Sequence, residues 1–91
     1  MYDLTAFQRD CLFVVAGNSG SKGLVIKEEL EDYYGSDVNH GLLYPNLDEL
    51  VEKGLIKKDE KDGRTNMYSI TDRGKRVLEA RREWENKYSE S

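Results

Sequence analysis

The chain has little of several things, and each scarcity excludes something. It carries one cysteine in 91 residues, so no internal disulfide framework exists. There is one histidine, far from Cys11 in sequence, so no metal site of the usual ligand spacing can be assembled. No apolar run approaches the roughly 20 residues that cross a bilayer. The N-terminal MYDLTAFQRD lacks the basic start and continuous apolar stretch of a secretory leader. These absences predict a cytoplasmic protein with no membrane association, no metal and no cofactor. Enzymatic patterns are missing as well. No glycine-rich phosphate loop is present, no Ser or Cys sits in a nucleophile motif, and the carboxylates show no partner pattern. The Glu28-Glu29 pair reads as a solvated helix face.

A basic excess is also absent. The net charge of −4 argues at first against a nucleic-acid partner. The average conceals a split. Residues 23–54 hold Lys27 and Lys53 against eight carboxylates, a net of −6, whereas residues 55–70 come to +1. Residues 73–82, RGKRVLEARR, hold five basic side chains and one Glu, a net of +4. A polyanion responds to the local field and not to the sum. An acidic excess is equally a mark of salt adaptation, so charge alone leaves both readings open. A chain of this length buries only about 60–70% of its unfolded surface and gains from a partner. It is read as one domain, residues 1–91.

The periodicities predict helix, helix, helix, strand, strand, long helix. Thr5 and Gln8 form a capping-box pattern, and Phe7, Cys11, Val14 and Val15 follow at helical spacing, ending near Gly17. Residues 22–23 allow a very short strand. A second helix spans Leu24 to Tyr34, with Leu24, Ile26, Leu30, Tyr33 and Tyr34 as its apolar side and Gly35 as a left-handed stop. Lys27 and Glu31 make an i,i+4 pair. Asn39 is an N-cap candidate for a third helix whose stripe is Leu43, Leu47, Leu50 and Val51 and which Gly54 ends. Pro45 sits inside this helix, at a position that costs about 3 kcal/mol in a helix interior. A start between residues 39 and 41 leaves it near the beginning. Leu55–Asp59 and Asn66–Ile70 read as strands about the turn signal Asp62-Gly63. Thr71 then caps a helix of about 71–88, ~27 Å long, with Gly74 an ordinary weak point in its first turn. A buried structural thiol is the favoured reading of Cys11, with a redox sensor or an intersubunit disulfide as the sharper alternatives.

The stretch GLLYPNLDELVEKGLIKKD, followed by RTNMYSITDRGK, resembles the PadR family of winged-helix transcription regulators, and most of all its short archaeal, phage-repressor-like members. The matching features are Tyr44-Pro45 in a helix, Leu47 and Leu50, the exit Gly54-Leu55-Ile56, Tyr68, and Thr71 to Gly74. They cover roughly residues 4–88. The resemblance implies an α+β, mainly helical fold: a winged helix-turn-helix of three helices and a two-stranded wing, with one long C-terminal dimerisation helix. It implies a homodimer built through the first and last helices. Many relatives have a larger C-terminal lid, so no effector pocket or small-molecule ligand is carried over.

On this reading the third helix enters the major groove of double-stranded DNA with its N-terminal half. Its outward residues are Asn39, His40, Gly41, Tyr44, Pro45 and Asp48, with Asn46 at the border. Asn39 serves as a cap, as a base reader, or as both. Gly41 lets the backbone approach closely, and for Tyr44 the resemblance favours DNA contact. Wing and phosphate contacts fall to Lys61, Arg64, Thr65 and Asn66, with Lys22 and Lys27 at the start of the second helix. The opposing reading is a solvated hairpin tip. Leu4, Phe7, Cys11, Val14, Val77, Arg81, Trp84 and Tyr88 are assigned to the dimer interface. Together these residues predict a sequence-specific regulator, a repressor on a pseudo-palindromic operator. The rivals are a non-regulatory DNA-binding protein, of a partition or architectural kind, and a winged-helix module that binds protein.

Overall fold

The capping box opens the fold as its sequence requires. The Gln8 backbone N–H donates to Thr5 Oγ1 at 3.1 Å, and the Thr5 N–H donates back to Gln8 Oε1 at 3.1 Å. The computed structural model describes residues 3–89. In chain order these form α1 (Ala6–Gly17), β1 (Ser21–Lys22), α2 (Gly23–Tyr34), α3 (His40–Glu52), β2 (Ile56–Glu60), β3 (Asn66–Ile70) and α4 (Asp72–Ser89). The three strands make one antiparallel sheet in the order β1-β3-β2. Ser21 stands opposite Tyr68 in β3, and Glu60 opposite Asn66 across the wing. The fold is the mainly helical α+β winged helix-turn-helix, with a third short strand holding the wing's second edge.

The core lies between the helices and the root of the wing. Leu12 and Val15 of α1, Ile26 and Leu30 of α2, Leu43, Leu47 and Leu50 of α3, and Leu55 and Tyr68 are buried. Each fully buried Leu or Ile side chain contributes roughly 2–3 kcal/mol by leaving water. The α3 stripe therefore behaves as its spacing predicts. The apolar side expected for α2 holds only in part. Ile26 and Leu30 are buried, but Leu24, Tyr33 and Tyr34 lie exposed, because the helix meets α1 and β3 along a narrower strip than its composition suggests. Phe7 stacks on Tyr34, centroids 6.3 Å apart, and the Tyr34 hydroxyl donates to Asp10. Gly35, at φ +72°, ends α2 in the left-handed conformation.

The α2–α3 link is tied by one carboxylate. Glu31 accepts from the Lys27 ammonium at 2.7 Å and from the Val38 N–H at 2.8 Å. These two donors, the ammonium first, hold the Glu31 carboxyl below its ordinary value, and the same contact raises Lys27. Beyond Val38, Asn39 caps α3, as its residue type favours.

The other junction, from α3 through β2 to α4, is tighter. The single Thr71 hydroxyl proton is shared between the Gly54 and Leu55 carbonyls, 2.7 and 2.9 Å from Oγ1, which also accepts the Gly74 N–H at 3.0 Å. Gly74 is thus no mere weak point in the helix. A Cβ there would lie 2.2 Å from the Leu55 carbonyl oxygen and 2.6 Å from Ile70 Cδ1. Only a residue without a side chain lets α4 start this close to the sheet. At the wing tip the Asp62 carboxylate accepts the Arg64 and Thr65 N–H groups, at 3.3 and 3.1 Å. Lys61 N–H closes the loop onto the Thr65 carbonyl at 2.8 Å, with Gly63 at φ +82°.

Two outcomes follow for stability. Gly74→Ala is expected to lose on the order of 2–3 kcal/mol in urea unfolding, although alanine gains about 1 kcal/mol in helix propensity; an unchanged midpoint would contradict the close approach. Glu31 is depressed in the folded state, so its contribution is present above its unfolded value near 4.5 and is lost as pH falls through the lower folded value. Glu31→Gln should therefore flatten the acid limb of the stability–pH curve below that value, and an acid limb as steep as the wild type's would count against the assignment.

Candidate nucleic-acid interface

The core stripe decides what α3 presents. Leu43, Leu47 and Leu50 point inward, which leaves His40, Gly41, Pro45 and Asp48 exposed on the outer side. Asn39 lies at the N-cap, where its Oδ1 accepts the Gly41 N–H at 2.5 Å, so the capping role is filled. The His40 ring meets Tyr44 edge-on, centroids 5.6 Å apart. Pro45 is accommodated within the helix as its sixth residue.

Tyr44 links α3 to α2. It is half-buried, and its ring lies on Gly23, where a Cβ would come within 2.6 Å of the hydroxyl oxygen. Nothing in the sequence pattern marked this contact; a glycine opening a helix is the trace it leaves. Around Tyr44 the fold gathers residues distant in sequence. Lys22 from the end of β1, Arg64, Thr65 and Asn66 from the wing, and Tyr44 from α3 line one cleft of about 210 Å³. Tyr68 forms its inner wall, and burial pushes that phenol up to about 12, so it stays protonated. A cleft with two basic side chains, hydroxyls and an amide suits a phosphate oxygen. Lys61 lies outside it, exposed at the wing tip.

Several predicted residues are placed elsewhere. Lys27 is paired with Glu31 on α2 at 2.7 Å and lies outside that cleft. Asn46 is turned into the molecule. Its Oδ1 accepts from Gln8 Nε2 at 3.0 Å, and its Nδ2 donates to the Leu42 carbonyl at 2.7 Å. It braces α3 against α1 and does not face a base edge. Gln8 is the missed partner: it is buried, and its amide also donates to Glu49. The capping box revealed its backbone role, but only the packing of α1 on α3 reveals its tertiary one. Asp48, on the outer face, pairs with Lys58 of β2 at 3.1 Å, and Lys57 pairs with Asp59 at 3.6 Å. Exposed pairs of this kind are worth at most about 1 kcal/mol, so a phosphate can compete for either lysine.

The residues assigned to a dimer interface fall into two groups. Leu4 and Cys11 are buried within the single chain and offer no surface to a second copy; that assignment is corrected for both. Apolar residues at the first-helix spacing face α2, α3 and the sheet before they can face a partner. Phe7, Val14 and Val77 are half-buried at the rim of the core. Trp84 and Tyr88 remain 48% and 67% exposed. Along α4, Arg81 donates to Glu85 at 3.2 Å and lies 4.5 Å over the Trp84 ring. No group of His, Cys, Asp and Glu able to hold a metal is found among the described residues. None of their helices is long and apolar enough to cross a membrane.

Comparison with known proteins places this geometry. The profile of the Transcriptional regulator PadR-like family matches residues 12–80. Two structures of RosR, one a complex and one of the H. salinarum protein grown from NaBr, are each 52% identical to the chain with a TM-score of 0.89. The matches cover 94% of this chain, and 74% and 77% of the respective RosR chains. F93 from STIV, a winged-helix DNA-binding protein, has the same fold at 20% identity. Its TM-score is 0.79, over 96% of this chain and 95% of that one. None of the curated proteins compared with the chain matches it.

Burial pushes the Cys11 thiol up to about 12, and thiolate is the reactive form. A thiol reagent at neutral pH should therefore label the native protein only as fast as it unfolds. Rapid stoichiometric labelling, or a cross-linked dimer under mild oxidant, would restore the sensor reading.

Proposed function

Since the chain belongs to the PadR-like family of transcriptional regulators, we propose that it binds double-stranded DNA in the cytoplasm as a sequence-specific repressor. One observation carries the reading. The cleft that joins Lys22, Tyr44, Arg64, Thr65 and Asn66 opens beside the exposed N-terminal half of α3. Phosphate contacts in the cleft and from Lys61 fix the register. Asn39, His40, Gly41, Tyr44 and Pro45 then meet the base edges of a major groove. The wing, whose tip is folded around the Asp62 side chain, carries Arg64 toward the adjacent phosphates or minor groove.

The acting species is a homodimer in which α1 and α4 pack on their symmetry mates. The exposed Trp84 and Tyr88, on a helix whose last eight described residues are all exposed, support this reading. Large aromatics are costly to leave wet and common at the centre of interfaces. Two copies place two α3 helices on successive major grooves about one helical turn apart, and hence on a pseudo-palindrome. Occupancy of a promoter site blocks transcription without further chemistry.

Bound sites mapped across the source genome should fall at discrete promoter positions; spreading over repeated arrays would indicate an architectural protein instead. On a mapped site, Arg64→Ala is expected to weaken binding roughly tenfold for all sequences alike, and to lower the slope of log affinity against log salt by about one. Fluorescence anisotropy at several salt concentrations reads both. A protein that binds no duplex even at low salt, while remaining a folded dimer, would shift the function to protein recognition.

A further inference from the structure

The backbone groups at the start of α3 can be followed one by one. The Asn39 carbonyl accepts the N–H groups of Leu42 and Leu43, both at 3.0 Å. The Gly41 N–H goes to the Asn39 side chain. In an α-helix the carbonyl of residue i−4 is matched to the N–H of residue i. Pro45 lies inside the helix and has no N–H to give. The carbonyl deprived of its helical donor is that of Gly41. The neighbouring side-chain amide does not replace it. Asn46 Nδ2 donates one residue along, to the Leu42 carbonyl, and its orientation is held there by the Gln8 amide on its oxygen.

We propose that this released Gly41 carbonyl is a base-reading acceptor, taking a hydrogen bond from an exocyclic amino group, adenine N6 or cytosine N4, in the major groove. The inference rests on the DNA-binding reading above and adds the chemical group recognised.

Gly41 and Pro45 are both exposed. They lie one turn apart on the side of α3 away from Leu43, Leu47 and Leu50, the side turned outward. On an exposed helix face a carbonyl without a helical donor is open to water, so it carries no burial penalty. When a duplex displaces that water, the carbonyl needs a donor. Major-groove edges supply donors only from the amino groups of adenine and cytosine, whereas guanine O6 and N7 and thymine O4 are acceptors and would leave it unsatisfied. Gly41 has no side chain to hold the base away. The same residue that weakens the helix thus creates a reader that excludes G and T at one position of each half-site.

The test uses the full chain and its mapped operator. In each half-site, adenine is replaced in turn by purine and cytosine by 2-pyrimidinone, analogues that lack only the exocyclic amino group. Wild type should lose about tenfold in affinity at one position per half-site, the worth of one hydrogen bond left unmade. Which analogue does so tells adenine from cytosine. Pro45→Ala restores the N–H of residue 45 and re-forms the helical bond to Gly41. It should fold with equal or higher Tm by circular dichroism, bind the unmodified operator more weakly, and show no further loss at that position. If wild type binds the operator but no single amino deletion stands out, or if Pro45→Ala keeps the same position-specific loss, the inference is overturned while the regulator reading survives. If no duplex is bound at all, both fall.

Discussion

Three leucines determine what this molecule can present. Leu43, Leu47 and Leu50 are fully enclosed, and their spacing of four and three leaves α3 one rotation about its own axis. That rotation turns Gly41, Pro45 and Asp48 outward, sets Tyr44 against Gly23, and brings Asn46 within reach of Gln8. A polar residue at any of the three would have to bury an unsatisfied group or roll the helix, and a roll would move every outward side chain together. The interface therefore depends on apolar packing it does not itself contain.

Around this seam the molecule fixes its pieces with small, directional contacts. Glu31 joins a lysine of its own helix to the N–H of Val38 in the following link, and Thr71 binds two carbonyls and one N–H. Asp62 folds the wing tip over itself. Each group sits at a junction where the backbone leaves regular structure, which is where N–H and C=O groups lack partners. Charge is used in the same local way. Several lysines lie beside carboxylates, so the acidic total says little about the cleft, where Lys22 and Arg64 stand together with neutral polar groups.

The element order, the capping box at Thr5, the cap at Asn39, the α3 stripe and the Lys27–Glu31 pair were legible in the sequence because each depends on residues close in the chain. What was not legible depends on partners far away in it. Asn46 looks available until Gln8 is brought beside it. Cys11 and Leu4 look like interface residues because apolar spacing shows that a face is covered, not by which neighbour. Gly74 looks like a helix weakness and Gly23 like part of a short strand, since close approach to the Leu55 carbonyl and to Tyr44 leaves no periodic trace. Pro45 was visible as an anomaly, but its consequence for Gly41 appears only once the helix is known to run through it.

The two-residue strand β1 is the smallest element here. Gly20 N–H donates to the Tyr68 carbonyl at 2.8 Å, and Ser19 Oγ accepts the Ile70 N–H at 3.3 Å. With the Ser21 and Lys22 pairing, these fasten the inner strand of the wing on the edge away from β2. A hairpin held along one side alone can swing like a door. One stitched along both keeps its angle to α3 before any target arrives, so little freedom remains to be surrendered on contact.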